Sequence, residues 1–583
     1  METWESALNA RSDLMPYGDN SIGLFALALR FSIEDLDSVA ADSITDGSDD
    51  KKCDMVYVDR DEGAAVIAQC YLSKVARASA PASKASDLNT AVGWLLQTPL
   101  VRLPARLRSA AGQLRDALSD GAVTDLHVWY VHNLPESKNV RDELDVVETT
   151  SCAALKQAFS GTTVKVHTLE IGNDRLSEWY ADSLSPILVN EELKISIRGG
   201  FSVDGANWNA FITAVPAVFL HKIYRNYKTK LFSANVRDYL GSRKSDQNIN
   251  HGIKQTAEKD PANFWVFNNG LTILVHDFEL EATSGGNTVL KVRGLSIVNG
   301  AQTTGAIGSL RKAPATSALV PVRFIKTADR SVIYDIIRYN NSQNKVTAPD
   351  FRSTDRVQRR LKDEITRIPG AEYEGGRRGG HEDIIRRRAN LLPSYTVGQA
   401  LAALHGDPIT AYNEKANIWI SDRLYSKYFN DETTAAHIVF AYSLLRAVEA
   451  KKIELVQKSK QGLDDLTSSE QKQLEFFRNR GSTYLFVTAV AGCLETFLSK
   501  RIPNLFRLTF NLTTSPATAQ NLWREIVQVT APLCTHLEDA FTDGLKNSER
   551  VRKAVQTFQG LVEVTATANE RKYREFGSKV LVH

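Results

Sequence analysis

The order of apolar and polar residues divides the chain into two α/β stretches and a helical stretch. Over the first 180 residues, segments with helical spacing alternate with short runs rich in β-branched residues. This alternation indicates one α/β domain over residues 1–180. Its predicted helices cover residues 22–40, 88–96 and the surroundings of Leu155, and its predicted strands cover residues 55–58, 64–70, 127–131 and 164–169.

The second stretch, residues 195–430, is also expected to be α/β. Residues 211–232 have the spacing of a helix, and Asn269-Gly270 between two apolar runs predicts a β-hairpin from residue 265 to residue 275. Its other predicted strands cover residues 290–298 and 319–325, and its other predicted helices cover residues 331–338 and 356–368.

Strand patterns nearly vanish from about residue 395 onward. Helical spacing continues through residues 435–455, 482–498 and 519–540, so an α-helical region is expected over residues 431–583. The fold class predicted for the whole chain is therefore α/β multidomain with an α-helical C-terminal region.

Composition narrows the class of protein without identifying it. The chain has 583 residues, of which 43% are hydrophobic and 24% charged, which fits several globular domains. The 71 basic and 68 acidic residues give a net charge of +3, so any nucleic-acid contact must come from a local patch. Five separated cysteines, a polar start and no apolar run of about 18 residues predict a cytoplasmic protein without a membrane anchor.

A group of acidic residues near the amino end is the first candidate site. Asp46, Asp49 and Asp54 precede one predicted strand, Gln69 ends the next, and Glu34 lies on the preceding helix. Carboxylate oxygens in this order can hold Mg²⁺ or Mn²⁺ for phosphodiester hydrolysis. Asp54 is expected to be the principal metal ligand, with Glu34 and Asp46 or Asp49 completing the metal site.

The alternative interpretation is a solvated acidic loop without a metal. Tyr71 stands where a nuclease would carry a lysine beside the metal, and a phenol supplies no positive charge. Lys74, three residues later, is the predicted substitute in the catalytic set Asp54, Gln69 and Lys74.

Asparagine-rich turns form the second candidate site. Asn299-Gly300 leads from a strand into a helix whose first turn carries Gln302 and Thr303, and the N–H groups of such a turn bind anions. Capping of the helix by its own side chains explains the same residues equally simply. The predicted ligand-binding residues are Asn268, Asn269, Asn299, Gln302, Thr303, Asn341 and Gln343.

A strip of basic residues follows the asparagine-rich segment that contains Asn341 and Gln343. Residues 356–388 contain ten basic and six acidic residues, an excess that fits phosphate contacts as well as an ordinary solvated helix face. The predicted nucleic-acid contacts are Arg356, Arg359, Arg360, Arg377, Arg378, Arg386 and Arg387.

Taken together, the motifs of the middle stretch resemble a known family. The segments at residues 231–241, 264–272, 297–304 and 340–355 resemble the AIPR family, named for abortive infection and phage resistance, over about residues 195–430. The resemblance implies a role in antiviral defence and association with restriction or modification proteins. Asn299-Gly300-Ala301-Gln302 also resembles a turn of phosphorothioation regulators, the DGQHR-like proteins, and of ParB-like domains, which implies nucleotide binding.

The amino-terminal motif is similar to that of restriction-endonuclease-like domains of the PD-(D/E)xK type. Thr45-Asp46-Gly47, Cys53-Asp54 and Gln69-Cys70 carry this likeness, and Tyr71 departs from it. The leading hypothesis is an antiphage protein that acts as a magnesium-dependent deoxyribonuclease with a nucleic-acid-sensing or nucleotide-sensing core. The alternatives are a non-catalytic sensor or scaffold with a degenerate nuclease domain and a nucleotide hydrolase. DNA, a nucleotide, a defence partner protein and a second copy of the chain are the expected partners.

Overall fold

The structure of the protein is a computed structural model of the whole chain. It describes residues 3–583 except residues 32, 34, 48, 160, 162–163, 185–186, 188, 228–230, 233–252, 283–287, 328, 330–331, 334, 337–351, 353–354, 375–389 and 462–465.

Helices and strands alternate over the described residues from Trp4 to Leu184, which form an α/β unit. Its sheet has the order β1-β2-β3-β4, in which β1 and β2 form an antiparallel hairpin and β2, β3 and β4 run parallel. The strands are β1 (Met55–Asp59), β2 (Ala64–Tyr71), β3 (Asp125–His132) and β4 (Lys165–Ile171). The helices are α1 (Trp4–Ala10), α2 (Asn20–Phe31), α3 (Leu36–Ser43), α4 (Ala82–Leu96), α5 (Ala105–Ser119), α6 (Lys138–Ala158) and α7 (Asn173–Leu184).

Helices cover both faces of this sheet, because its inner strands are apolar on both sides. In β2, Ile67 packs towards α4 and α5, while Val66 and Ala68 pack towards α2. Such near-continuous burial is typical of parallel strands between two helix layers. The hairpin therefore presents its open end, where β1 begins and β2 ends, beside α4.

The helix predicted over residues 22–40 is interrupted. It forms α2 and α3, and the Asp35 side chain caps α3 by accepting a hydrogen bond from the Ser38 N–H at 3.2 Å. An aspartate in this position satisfies an otherwise unpaired donor of the helix, so it favours a new helix start over continuation. The helix predicted from residue 88 begins earlier, at Ala82.

A mostly antiparallel sheet forms the second unit. Its order is β5-β10-β8-β11-β7-β6, with β9 beside β10, and only the β8–β11 pair among these is parallel. The strands are β5 (Val189–Ile197), β6 (Gly200–Asp204), β7 (Asn209–Pro216), β8 (Leu271–Val275), β9 (Asp277–Ala282), β10 (Thr288–Asn299) and β11 (Leu319–Lys326). The helices of this unit include α8 (Ala217–Tyr227), α9 (Phe264–Phe267) and α10 (Ala301–Gly308).

Two predictions for this unit were wrong. The first six residues of the helix expected over residues 211–232 belong to β7, whose inward residues alternate, and α8 begins only after Pro216. The expected hairpin does not form, because residues 264–267 are the helical turn α9. There Phe264 is buried and the next three side chains are exposed, so no alternating face is available to a strand. The helix predicted over residues 331–338 lies partly outside the described residues.

Helices dominate the rest of the chain, as predicted. One hydrophobic core extends from Leu361 to Val580, so the expected division of domains at residue 430, which stays a prediction, falls inside it. The helices are α11 (Arg356–Ile365), α12 (Ser394–Leu404), α13 (Pro408–Asn413), α14 (Asn417–Ile420), α15 (Asp422–Tyr428), α16 (Ala435–Gln461), α17 (Ser468–Phe477), α18 (Ser482–Ala491), α19 (Leu494–Leu498), α20 (Pro516–Thr530), α21 (Ser548–Val564) and α22 (Glu570–Gly577), and the short strands are β12 (Leu508–Phe510) and β13 (Val580–Val582).

Buried ion pairs join the N-terminal α/β domain to this helical region. Arg446 of α16 lies 2.6 Å from Asp35, which caps α3, and Lys452 lies 2.8 Å from Asp42 at the other end of α3. From the loop before α18, the guanidinium of Arg480 donates to the carbonyl oxygen of Val56 in β1. The helical region therefore holds both the helix and the strand that flank the acidic loop of residues 45–54.

Among the described residues, no helix is both long and apolar enough to span a membrane.

Candidate metal centre

The acidic loop between α3 and β1 brings three carboxylates together. Oxygen atoms of Asp46, Asp50 and Asp54 lie within 4.8 Å of one another. The loop closes on itself because the backbone N–H groups of Thr45 and Asp46 donate to the carbonyl oxygen of Asp54, at 2.9 and 3.2 Å. Three carboxylates at this spacing repel one another unless a cation or protons lie between them.

Side chains from neighbouring helices hold this loop in place. Asn20 of α2 donates to the Asp46 carboxylate at 2.9 Å, and Arg106 of α5 donates to the Asp46 carbonyl oxygen at 2.6 Å. The Asp50 carboxylate accepts from the backbone N–H groups of Gly47 and Lys52, at 3.2 and 2.8 Å. The positions of the acidic side chains are thus fixed by hydrogen bonds from elements on both faces of the sheet.

Asp54 is the most strongly perturbed member of the cluster. Burial raises its pKa to about 7, and the hydrogen bond from the Cys70 N–H, at 2.7 Å, opposes that rise. The charges of Asp46 and Asp50 raise the pKa further, while that of Lys84 lowers it. A carboxyl group whose pKa lies near 7 beside two other carboxyl groups is a feature of functional sites. A divalent cation would offset the repulsion between these carboxylates.

Gln69 supplies an independent sign that the cluster is built for a ligand. Its side chain is 4% exposed, and its Oε1 atom is buried without a hydrogen-bond partner among the described residues. Asp54 lies one position before the last paired residues of the hairpin, Met55 and Ala68, so Gln69 is its neighbour across the two strands. A buried amide oxygen without a donor is rare, and at the strand position beside Asp54 it suits a hard cation or a water molecule bound to one.

The structure gathers part of the predicted acidic set and replaces one member. Asp46, Asp54 and Gln69 come together, but Asp50 takes the position expected for Asp49, which is exposed and lies 2.5 Å from Lys51. Glu34 lies outside the described residues. Lys74 is exposed in the loop after β2. The metal-binding roles of these residues stay predictions.

Sequence reasoning missed Asp50 and Lys84. Asp49 and Asp50 are adjacent and identical in type, so only the turn geometry separates them. Lys84 belongs to a polar segment that was expected to precede the helix, whereas α4 includes it in its first turn. Pro81, directly before the helix, is the signal that could have moved the predicted start.

The second candidate site is formed in part. Gly300 adopts a left-handed conformation with φ of 99° and leads β10 into α10, so the predicted turn from strand to helix is confirmed. The Asn268 side chain donates to Thr303 Oγ1 at 3.1 Å, which places these two predicted ligand-binding residues in contact.

Of the other predicted residues of this second site, Asn299 directly precedes Gly300 and Asn269 directly follows Asn268, so both border the contact between Asn268 and Thr303. Asn299 is paired with Thr272 between β10 and β8, and Asn269 is exposed. Asn341, Gln343 and the side chain of Gln302 lie outside what the structure describes.

The predicted basic strip is described only in its first helix. Arg356 and Arg359 are exposed on α11. Arg360 pairs with Glu364 at 2.9 Å and donates to the carbonyl oxygens of Asn430 and Thr433, which makes it a packing residue. Arg377, Arg378, Arg386 and Arg387 lie outside the described residues.

The fold and the acidic cluster define a mixed α/β protein with a candidate metal centre and a helical C-terminal region. The family model described as AIPR protein matches residues 232–536, more than half of the chain, and the protein belongs to the AIPR family. No curated protein and no solved structure matches the chain. The family match begins in the second unit and leaves the acidic cluster outside it.

Proposed function

We propose that this protein is an antiphage defence factor of the abortive-infection type whose N-terminal domain is a metal-dependent nuclease. Membership of the AIPR family supports the defence role. The observation that carries the nuclease function is the meeting of Asp46, Asp50 and Asp54, with the buried, unpaired amide of Gln69 at the strand position beside Asp54.

The donor set fits Mg²⁺ or Mn²⁺ better than other common cations. Carboxylate and amide oxygens are hard ligands, and the cluster contains neither a histidine nor an accessible thiolate to favour zinc. Cys53 and Cys70 are close by in sequence, but both are buried, and burial raises the pKa of the Cys53 thiol to about 12. Asp46, Asp50 and Asp54 would hold the ion, which would polarise a water molecule and a phosphate oxygen.

The proposed reaction is hydrolysis of a phosphodiester bond. The oxygen of a water molecule bonds to phosphorus and the bond from phosphorus to the departing oxygen breaks; the water releases one proton to solvent, and the departing oxygen takes up one. The protein's part is to hold the acids in place through the Cys70 N–H, Asn20 and Arg106, so that no rearrangement is needed during the reaction.

The topology of the N-terminal domain is compatible with a restriction-endonuclease-like fold. The hairpin β1–β2 followed by a helical crossover to the parallel strand β3 places Asp54 and Gln69 side by side at the open end of the hairpin. The second unit would serve as the sensor of nucleic acid or nucleotide, with Asn268 and Thr303 at the turn before α10. The ion pairs between α3 and α16 would connect the helical region, which follows this unit in the chain, to the acidic loop of residues 45–54.

Incubation of the purified full chain with supercoiled plasmid tests the function. With Mg²⁺ or Mn²⁺ we expect nicked and then linear DNA, and with EDTA we expect intact supercoiled DNA. Retarded but uncut plasmid under all metal conditions would favour the second candidate, a non-catalytic sensor. Tyr71 at the end of β2 is the observation on which that second candidate depends.

A further inference from the structure

A lysine from outside the predicted motif reaches the end of β2. The ammonium of Lys84, in the first turn of α4, lies 5.3 Å from the centre of the Tyr71 ring. Tyr71 is two residues after Gln69 and therefore on the same face of the strand. That face packs against α4, since Ile67 and Tyr71 contact the same core as Ala85 and Leu88.

Phosphodiester hydrolysis at this cluster would be faster with a positive charge in addition to a metal ion. Negative charge builds up on the phosphate oxygens during attack, and Asp46, Asp50 and Asp54 repel it. Tyr71 cannot supply the compensating charge. Lys84 can, because its ammonium lies over the ring of Tyr71, which is the next residue after Gln69 on that face of β2.

The Tyr71 ring is the contact that the described residues give the Lys84 ammonium. Its ammonium makes no ion pair with a carboxylate in the described part of the chain, whereas nearby Lys51 and Lys52 lie 2.5 Å from Asp49 and 3.3 Å from Asp87. A lysine in the first turn of a helix also faces the positive end of the helix dipole, which disfavours it there. A half-buried ammonium without a carboxylate partner in the described part of the chain is available to a bound anion.

We propose that Lys84 is the catalytic lysine of the N-terminal site, an assignment that rests on the proposed nuclease function. Its ammonium donates hydrogen bonds to a non-bridging phosphate oxygen and keeps its proton throughout. The geometry that supports this assignment is the position of the ammonium over the Tyr71 ring, on the face of β2 that also carries Gln69. In this arrangement the lysine is supplied by α4, and β2 carries the aromatic ring over which its side chain lies.

The test compares plasmid cleavage and Mn²⁺ binding in four forms of the full chain. Lys84→Met is expected to slow cleavage about 100-fold, because it removes one preorganised donor to the developing charge. Its Mn²⁺ affinity, measured by calorimetry, should be unchanged or higher, since a positive charge has left the vicinity of the acids. Lys138→Met, which changes an exposed lysine in the first turn of α6, is the matched control and should cleave within about twofold of the wild type.

The fourth form returns a lysine to the strand. Tyr71→Lys combined with Lys84→Met should recover at least tenfold of the lost rate, because the ammonium then reaches the cluster from β2. Wild-type cleavage by Lys84→Met, or loss of Mn²⁺ binding together with cleavage, would overturn the assignment.

Asp54→Asn separates the failure of this assignment from the failure of the nuclease function. Cleavage lost in Asp54→Asn but kept in Lys84→Met removes only the role of Lys84. Cleavage that is absent from the wild type, or that survives both substitutions, removes the nuclease function and the role of Lys84 with it.

Discussion

Asp54→Asn is expected to reduce metal-dependent plasmid cleavage by at least about 100-fold. Loss of a residue that only supports a metal ligand costs 10- to 100-fold in affinity or activity, and loss of a direct ligand should cost no less. The asparagine oxygen can still accept the hydrogen bond from the Cys70 N–H, which is 2.7 Å from the aspartate in the wild type. The fold should therefore survive the change, and initial rates of nicking measure the chemical loss.

A matched control separates this effect from a general change in surface charge. Asp142→Asn alters an exposed aspartate on α6 and should leave the cleavage rate within about twofold. Thermal unfolding provides the second control: removal of a buried carboxyl whose pKa is raised to about 7 should not lower the melting temperature at pH 8. Equal rates for Asp54→Asn and Asp142→Asn would exclude Asp54 from the reaction.

Asp35→Asn is expected to lower the free energy of unfolding by about 3 kcal/mol. Arg446 is 9% exposed and lies 2.6 Å from Asp35, so the substitution leaves a buried cation without its strongest partner. Burial alone would raise the pKa of Asp35, but Arg446 holds it below its usual value, which shows that the carboxylate is charged in this pair. The asparagine oxygen can still cap α3, so chemical denaturation measures the cost of the lost charge.

Glu449→Gln changes the other carboxyl group on Arg446 and should behave differently. Burial raises the pKa of Glu449 to about 7, against the opposing effect of Arg446. Between pH 4.5 and pH 7 the Glu449 carboxyl group has released its proton in the unfolded chain but keeps it in the folded chain. The contribution of Glu449 to the free energy of unfolding therefore falls as the pH rises. Relative to wild type, Glu449→Gln should therefore gain stability from pH 5 to pH 8, whereas Asp35→Asn should stay less stable throughout. An equal loss in both variants at pH 8 would contradict this division of charge.

The strands of the N-terminal domain could be predicted because each is a short apolar run that ends at a turn. The apolar runs at residues 55–58 and 64–70, with a polar turn between them, predict the strands that form as Met55–Asp59 and Ala64–Tyr71, and the hairpin places Asp54 beside Gln69. Once the hairpin is known, the cross-strand neighbours follow from its register. This part of the candidate site was therefore accessible from the sequence.

The rest depended on tertiary packing. Asp49 and Asp50 differ only in which way the turn directs each side chain, and Lys84 approaches the strand because α4 packs on one face of the sheet. Residues 264–267 form α9 although Asn269-Gly270 is typical of a hairpin, since β8 pairs instead with β10 and β11. Partners distant in sequence decided each of these outcomes, and a local pattern contains no information about them.

Titration of Mn²⁺ into the full chain, followed by calorimetry, tests the central claim most directly. The claim is that Asp46, Asp50 and Asp54 form a divalent-metal site with the unpaired oxygen of Gln69. We expect a saturable Mn²⁺ site in the wild type and in Asp142→Asn, and its loss in Asp54→Asn. Binding of equal affinity in all three forms, or no saturable binding in the wild type, would contradict it.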